Sequence, residues 1–375
     1  MLIRFFSVAI FSLVLVGCVN LSKQIKVSDI KAINIVNFGS NQMPLMTNYS
    51  MNDYGFGIKF FGDSHFASDD TINSFRKNFF NQNSIGFVLP IMPRFQKSEN
   101  LSYSQHGFTT INSRLEDFDD YPLCGVVAWA QNAGASMNLG LKQLSGEFEF
   151  EILHKGSVNG EILNVKDATN KEFIISQNMQ NSWEYSKFSV KFPLIITTLQ
   201  DDIYLGGYKI FKSQNAKFAD SCALNGAFSH IHRKWSQDAF IRDFDELNYD
   251  LFVIAYGTND AMDKDLDIAK FSKGLQELID KLRISQPSAR FLLISPPPSP
   301  KAVRVSDVRH AVMRLAQTNR TMYFDLRDFI EANGGWSVWK ASGLVKNDDI
   351  HFTKAGYEKI GEILANALRQ KIGWN

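Results

Sequence analysis

The chain has 375 residues, 45% of them apolar and 21% charged, so it can bury a sizeable core and is not a disordered tail. Forty Lys and Arg against 39 Asp and Glu leave a formal charge of +1, which excludes the basic footprint of a general nucleic-acid binder. Three cysteines are too few for a disulfide-built scaffold or a cysteine-rich zinc domain, and at about 150 residues per domain the length points to two domains.

Residues 1–18, MLIRFFSVAIFSLVLVGC, set Arg4 before an apolar run from Phe5 to Val16. The run is shorter than the roughly 20 residues that span a bilayer, and its layout is that of a secretory signal peptide. It ends in Leu15-Val16-Gly17-Cys18, which resembles the bacterial lipobox, where the cysteine is lipidated; the alternative is a plain signal with a chance cysteine. Export to the periplasm or cell envelope is expected, with a lipid anchor at Cys18. Residues 19–54 carry no readable role. In an oxidising compartment Cys124 and Cys222 either pair or stay as two buried thiols.

Gly57-Ile58-Lys59-Phe60-Phe61 and Ile85-Gly86-Phe87-Val88-Leu89 read as buried strands, with a helix from Ile72 to Phe80 between them. The texture changes over residues 97–212. Glu147 to Ile152 and Phe188 to Phe192 alternate with period two, which suits antiparallel sheets wet on one face. From residue 213 strands and helices alternate again. Leu251 to Tyr256 is a continuous apolar strand, and Ile268, Phe271, Leu275, Leu278, Ile279 and Leu282 line one face of a helix. Phe291 to Ile294 and Met322 to Phe324 are further strands, and a last helix starts after Thr353, its expected N-cap. The order predicts an α/β domain with a parallel sheet, split into residues 55–96 and 213–375 by an inserted β-sandwich-like domain at 97–212. The alternative is a set of long β excursions from a single domain.

Four short motifs sit at the exits of these strands, or before the last helix, where α/β sheets build ligand sites. Phe61-Gly62-Asp63-Ser64-His65 presents a serine at a tight turn; taken alone it reads first as an N-cap. Leu224-Asn225-Gly226-Ala227 offers an unshielded backbone N–H at Gly226. Tyr256-Gly257-Thr258-Asn259-Asp260 supplies the Asn259 amide, able to donate to a developing oxyanion or simply to turn the chain. In Asp348-Asp349-Ile350-His351 the three-residue spacing lets the Asp348 carboxylate reach one imidazole nitrogen of His351 and leave the other for a serine hydroxyl. Together they supply nucleophile, base, orienter and oxyanion donors. Asp63 and Asp260 read as braces of their turns. His230-x-His232 lacks the further ligands of a metal site, and His106, His154 and His310 stand alone. Trp183, Trp235, Trp336 and Trp339 are core residues by default, with sugar stacking as the alternative.

Gly62-Asp63-Ser64, Gly226, Gly257-x-Asn259-Asp260 and Asp348-x-x-His351 resemble the four blocks of the SGNH (GDSL-type) hydrolases, over residues 55–95 and 215–370. The resemblance implies a flavodoxin-like parallel sheet and a serine esterase with no cofactor and no metal. It makes Ser64 the nucleophile, His351 the base and Asp348 its partner, with the Ser64 and Gly226 N–H groups and the Asn259 amide as the oxyanion hole. His65, Phe352-Thr353-x-x-Gly356-Tyr357, Gly334-Gly335-Trp336 and the β insert are similar to the bacterial peptidoglycan O-acetylesterase branch, whose insert resembles a carbohydrate-binding module. The implied partner is O-acetylated peptidoglycan. Three alternatives stand beside it: a peptidoglycan O-acetyltransferase, a lipase or thioesterase, and a non-catalytic glycan-binding lipoprotein.

Overall fold

The computed structural model describes residues 24–32, 34–39 and 55–372; the signal segment and Cys18 lie outside them. A six-stranded sheet runs in the order Val36–Asn37, Met322–Phe324, Arg290–Ile294, Leu251–Ala255, Phe56–Gly62, Lys217–Ala223. The last five strands are parallel, and the short first strand adds antiparallel to the edge through Val36 and Tyr323. Every residue of Phe56–Gly62 is buried, as a central parallel strand covered on both faces requires. Phe56, Ile58 and Phe60 face one core with the helices Asp70–Phe79 and Lys354–Ile372. Phe61 faces the other, with Ile268–Ser285 and Val305–Thr318. A β carbon at Gly361 would lie 2.2 Å from the Thr71 carbonyl oxygen, so glycine there lets the last helix lie against Asp70–Phe79. Thr353 Oγ1 accepts from the Gly356 N–H at 3.3 Å and caps the last helix.

The β insert is two antiparallel sheets packed on each other. One has the order Glu172–Gln177, Gly160–Lys166, Leu194–Thr198, Ser136–Leu141, Leu101–His106. The other runs Glu184–Lys191, Glu147–Gly156, Ile203–Phe211, Val126–Ala130, Phe108–Asn112. Their inner faces share one core that includes Phe148, Phe150, Leu163, Val165 and Ile196. The strand Gly86–Val88, which its apolar run places in the α/β pattern, instead pairs antiparallel with Ile203–Phe211 and joins the insert. An apolar run of that length does not encode which sheet it enters.

Two features bind the two parts. Lys59, fully buried in its strand, meets Asp220 at 2.6 Å, and Tyr249 donates to the other oxygen of the same carboxylate at 2.6 Å. The Phe87 N–H also donates to Asp220 at 2.8 Å, so one paired buried charge holds strands of both parts. Cys124 and Cys222, 98 positions apart in sequence, are joined in a disulfide with their Cα atoms 4.8 Å apart. A closed loop of that order constrains the unfolded chain by roughly 4–5 kcal/mol. The bridge ties the insert to the strand that leads into Gly226. Residues 24–32 and 34–39 pack against the α/β part: Ile30 and Ile35 are buried, and the Lys31 N–H donates to Asn333 Oδ1 at 2.8 Å.

Candidate active site

Ser64 opens a one-turn helix, Ser64–Ala67, directly after the Phe56–Gly62 strand. Asp63 caps that helix by accepting from the His65 N–H at 3.0 Å, which sets the Ser64 hydroxyl at the turn. Ser64 Oγ lies 2.9 Å from His351 Nε2, and His351 Nδ1 lies 2.8 Å from Asp348 Oδ2. The other Asp348 oxygen accepts from the N–H groups of Ile350 and His351, each at 2.9 Å. Burial raises the Asp348 carboxyl, but those backbone N–H bonds and the imidazole outweigh it and hold it down at about 2. A carboxylate only accepts, so Nδ1 of His351 donates to it, and Nε2 is free to accept from the Ser64 hydroxyl.

The loop carrying Asp348 and His351 is itself held. A bridge between Val345 and Phe352 closes its base, and Lys346 N–H donates to the His351 carbonyl at 2.8 Å. Asp349 sits in the left-handed region at φ 58° and pairs with Lys340 at 2.7 Å, while Ser299 Oγ donates to the Asp349 carbonyl at 2.6 Å. His65 packs behind the site, its ring 5.7 Å from that of His351 and its Nδ1 3.1 Å from the Tyr357 hydroxyl. Burial, together with the neighbouring His351, pushes the His65 ring down to about 3, so it stays neutral beside the histidine in contact with Ser64.

The donor side is built on two turns. Ala227 N–H donates to the Leu224 carbonyl at 3.1 Å, closing a four-residue turn with Gly226 third at φ 72°, a position that favours glycine. Among the described residues neither the Ser64 N–H nor the Gly226 N–H has a protein acceptor. Asn259 Nδ2 donates to the Ala227 carbonyl at 2.9 Å, which ties its amide to the Gly226 turn and leaves one N–H to give. Leu224 N–H donates to the Gly62 carbonyl at 3.3 Å, so the Gly226 turn is fastened beside Ser64. Asp260 accepts from the Ser229 N–H and hydroxyl at 3.1 and 2.8 Å, bracing the stretch that follows.

Arg114, absent from the sequence reading, reaches in from the insert and donates through Nε to the Gly226 carbonyl at 2.7 Å. No spacing marks it, because it arrives from a turn more than a hundred residues away. Trp183, Trp235, Trp336 and Trp339 are all buried, and His232 is buried with Nε2 2.8 Å from the Gly274 carbonyl. No helix among the described residues is long and apolar enough to cross a membrane.

Asp63 gives the site a pH signature. Its carboxyl is fully buried, and burial lifts it to about 7 against the lowering effect of the His65 N–H bond. Unfolded, it titrates near its ordinary value of 3.8, so between 3.8 and about 7 the folded chain holds a proton that the unfolded chain has released. Stability therefore falls as pH rises through that window. Asp63→Asn keeps a capping oxygen without the charge. Its melting temperature relative to wild type is expected to be higher at pH 8 than at pH 4; a difference independent of pH contradicts this.

Two family models match the chain. Residues 84–195 match the N-terminal domain of peptidoglycan O-acetylesterases, and residues 210–359 match the GDSL-like lipase/acylhydrolase family. Residues 210–359 thus carry a GDSL-like acylhydrolase segment. The chain is an esterase, with an insert that matches the N-terminal domain of peptidoglycan O-acetylesterases. The GDSL-like segment contains Gly226, Asn259, Asp348 and His351, while Ser64 precedes both matched stretches because the insert interrupts the domain. A solved structure titled "Peptidoglycan O-acetylesterase in action, 5 min" superposes with TM-score 0.80 at 24% identity, covering 90% of this chain and 99% of that one. The same fold therefore extends over both parts of this acylhydrolase. A family two carbohydrate esterase from Cellvibrio japonicus matches at TM-score 0.34 and 12% identity, over 73% of this chain and 99% of that one. No curated protein sequence matches the chain.

Proposed function

We propose that this esterase removes O-acetyl groups from peptidoglycan, with Ser64 as nucleophile, His351 as base and Asp348 as its orienting partner. The observation that carries the reading is the unbroken chain Ser64 Oγ to His351 to Asp348, at 2.9 and 2.8 Å, in a chain with a peptidoglycan O-acetylesterase-type insert. Ser64 Oγ attacks the acetyl carbonyl while His351 Nε2 takes its proton, and ionised Asp348 stabilises the imidazolium. The N–H groups of Ser64 and Gly226 and the Asn259 amide receive the oxyanion. The tetrahedral species collapses, His351 returns the proton to the departing sugar hydroxyl, and the acetyl group stays on Ser64. Water, deprotonated by His351, then releases acetate and restores the serine. A cell-wall substrate agrees with export through residues 1–18 and retention at the envelope through Cys18.

The test is acetate release from O-acetylated sacculi, with a soluble glycan present as acceptor. Wild type is expected to yield free acetate, and Ser64→Ala only the background rate. Acetyl groups appearing on the acceptor instead of in solution would make the chain a transferase. No acetate from wild type, or equal release by Ser64→Ala, contradicts the proposal.

A further inference from the structure

The Gly226 N–H belongs to the central peptide of its turn, the one peptide of a β-turn that can flip in place. Leu224 to Ala227 form a type II turn. Of its two middle residues only Gly226 has positive φ, at 72°, and the Ala227 N–H donates to the Leu224 carbonyl at 3.1 Å. A type I turn differs by roughly 150° in ψ of the second residue and roughly 170° in φ of the third, which reverses that peptide and leaves its neighbours in place. Glycine at the third position admits both forms. Reversed, the turn would withdraw the Gly226 N–H from the site and set the Asn225 carbonyl oxygen in its place. Among the described residues neither of those two groups bonds to the protein, so no hydrogen bond fixes the peptide directly.

Arg114 supplies the missing bias. Its Nε donates to the Gly226 carbonyl at 2.7 Å, and a β carbon built on Gly226 would lie 3.0 Å from that Nε. At positive φ the β-carbon direction and the preceding carbonyl oxygen crowd the same side. The guanidinium therefore stands on the side of the Asn225 carbonyl, away from the Gly226 N–H, and a cation there favours the oxygen over the N–H. The arm that carries it is anchored. Ser113 N–H donates to the Gly125 carbonyl at 2.8 Å, and Gly125 follows Cys124. The disulfide partner Cys222 lies in the strand Lys217–Ala223, which leads into the turn. Gln96 clasps the other flank, accepting from the Asn225 N–H at 3.2 Å and donating to the Ala223 carbonyl at 3.0 Å. We propose that Arg114 is a positioning residue of the reaction, a side chain of the insert that keeps the Gly226 N–H turned towards the oxyanion. The insert then contributes to the chemical step itself. The inference rests on the proposed function, in which Gly226 is an oxyanion donor.

The test compares kcat and KM on 4-nitrophenyl acetate and on its thiono analogue, in which sulfur replaces the carbonyl oxygen. Sulfur is a weak hydrogen-bond acceptor, so the ratio of the two rates reports how well the donors meet the oxygen. Arg114→Met is expected to lower kcat on the oxygen ester by about tenfold or more, with KM within about twofold of wild type. The oxygen-to-sulfur ratio is expected to narrow by a similar factor. Arg114→Lys, which keeps a cation at the turn, is expected to stay within about threefold of wild type in rate and ratio. Arg94→Met removes another exposed arginine of the insert, one that lies over the Phe95 ring, and is expected to change neither. Melting temperatures check that each variant is folded. If Arg114→Met is not, Arg114→Gln, which keeps a neutral donor without the charge, takes its place with the same expectation. A folded variant lacking the cation whose kcat and ratio stay within about twofold of wild type overturns the proposal. So does a loss that is equal on the two esters, or one confined to KM on sacculi, which would make Arg114 a substrate contact. If wild type hydrolyses neither ester, or Ser64→Ala hydrolyses both as well as wild type, the proposed function fails and this inference falls with it.

Discussion

Ser64→Ala is expected to lower kcat on an acetyl ester by about 10⁵- to 10⁶-fold, and Ser64→Ala/His351→Ala is expected to be no slower than Ser64→Ala alone. The reason is that the two side chains act as one unit. His351 Nε2, 2.9 Å from Ser64 Oγ, has a proton to take only while the hydroxyl is there, so once either is lost the other contributes nothing further. What remains is the contribution of the donors and of binding. Asp348 belongs to the unit less strictly, because its oxygens also hold the Ile350 and His351 N–H groups at 2.9 Å and so position the histidine in the loop. Single-turnover rates on a chromogenic acetyl ester measure these effects. A double variant slower than either single variant by the product of their losses would show two independent contributions and contradict the arrangement.

Asn259→Ala is the second large effect, expected to slow the reaction by roughly a hundred- to a thousandfold while the protein stays folded. The amide gives one N–H to the Ala227 carbonyl at 2.9 Å and has a second for the oxyanion. Losing the Ala227 bond costs stability on the order of 1 kcal/mol, as one part-buried neutral hydrogen bond would. The rate loss is therefore expected to be much larger than unfolding can explain. Asn259→Asp sharpens the comparison, since it keeps the shape but replaces the donor with a negative charge where negative charge develops. It should be at least as slow as the alanine variant. An Asn259→Ala rate within threefold of wild type would remove the residue from the oxyanion hole.

Much of this was legible in the residues themselves, for physical reasons that differ from one element to the next. The strand Leu251–Ala255 is buried on both faces and flanked by helices, so its apolar run carries the whole signal. Asp348 and His351 are three residues apart, a spacing over which one turn can bring carboxylate and imidazole together. Ser64 lies 287 positions from His351; the rule that α/β sites form where strands end points to Ser64, whereas His351, before the last helix, is legible through its spacing from Asp348. Arg114 escaped notice because its partner is a backbone carbonyl 112 positions away, which leaves no trace in composition or periodicity. Gly86–Val88 points to the wrong sheet in the sequence for a related reason: so short a run carries no record of which neighbour supplies its hydrogen bonds. The pairing of Cys124 with Cys222 was open between two outcomes until the fold set their Cα atoms 4.8 Å apart.

The central claim is that His351 activates the Ser64 hydroxyl towards carbonyl carbon. A serine-directed phosphonate ester tests it with no dependence on the natural substrate, because the reagent bonds only to an oxygen made nucleophilic by an adjacent base. Peptide mapping of the labelled wild type is expected to place the adduct on Ser64, with labelling at least a hundredfold slower in His351→Ala and absent in Ser64→Ala. An adduct on another residue, or labelling of Ser64 at an unchanged rate without His351, would contradict the account.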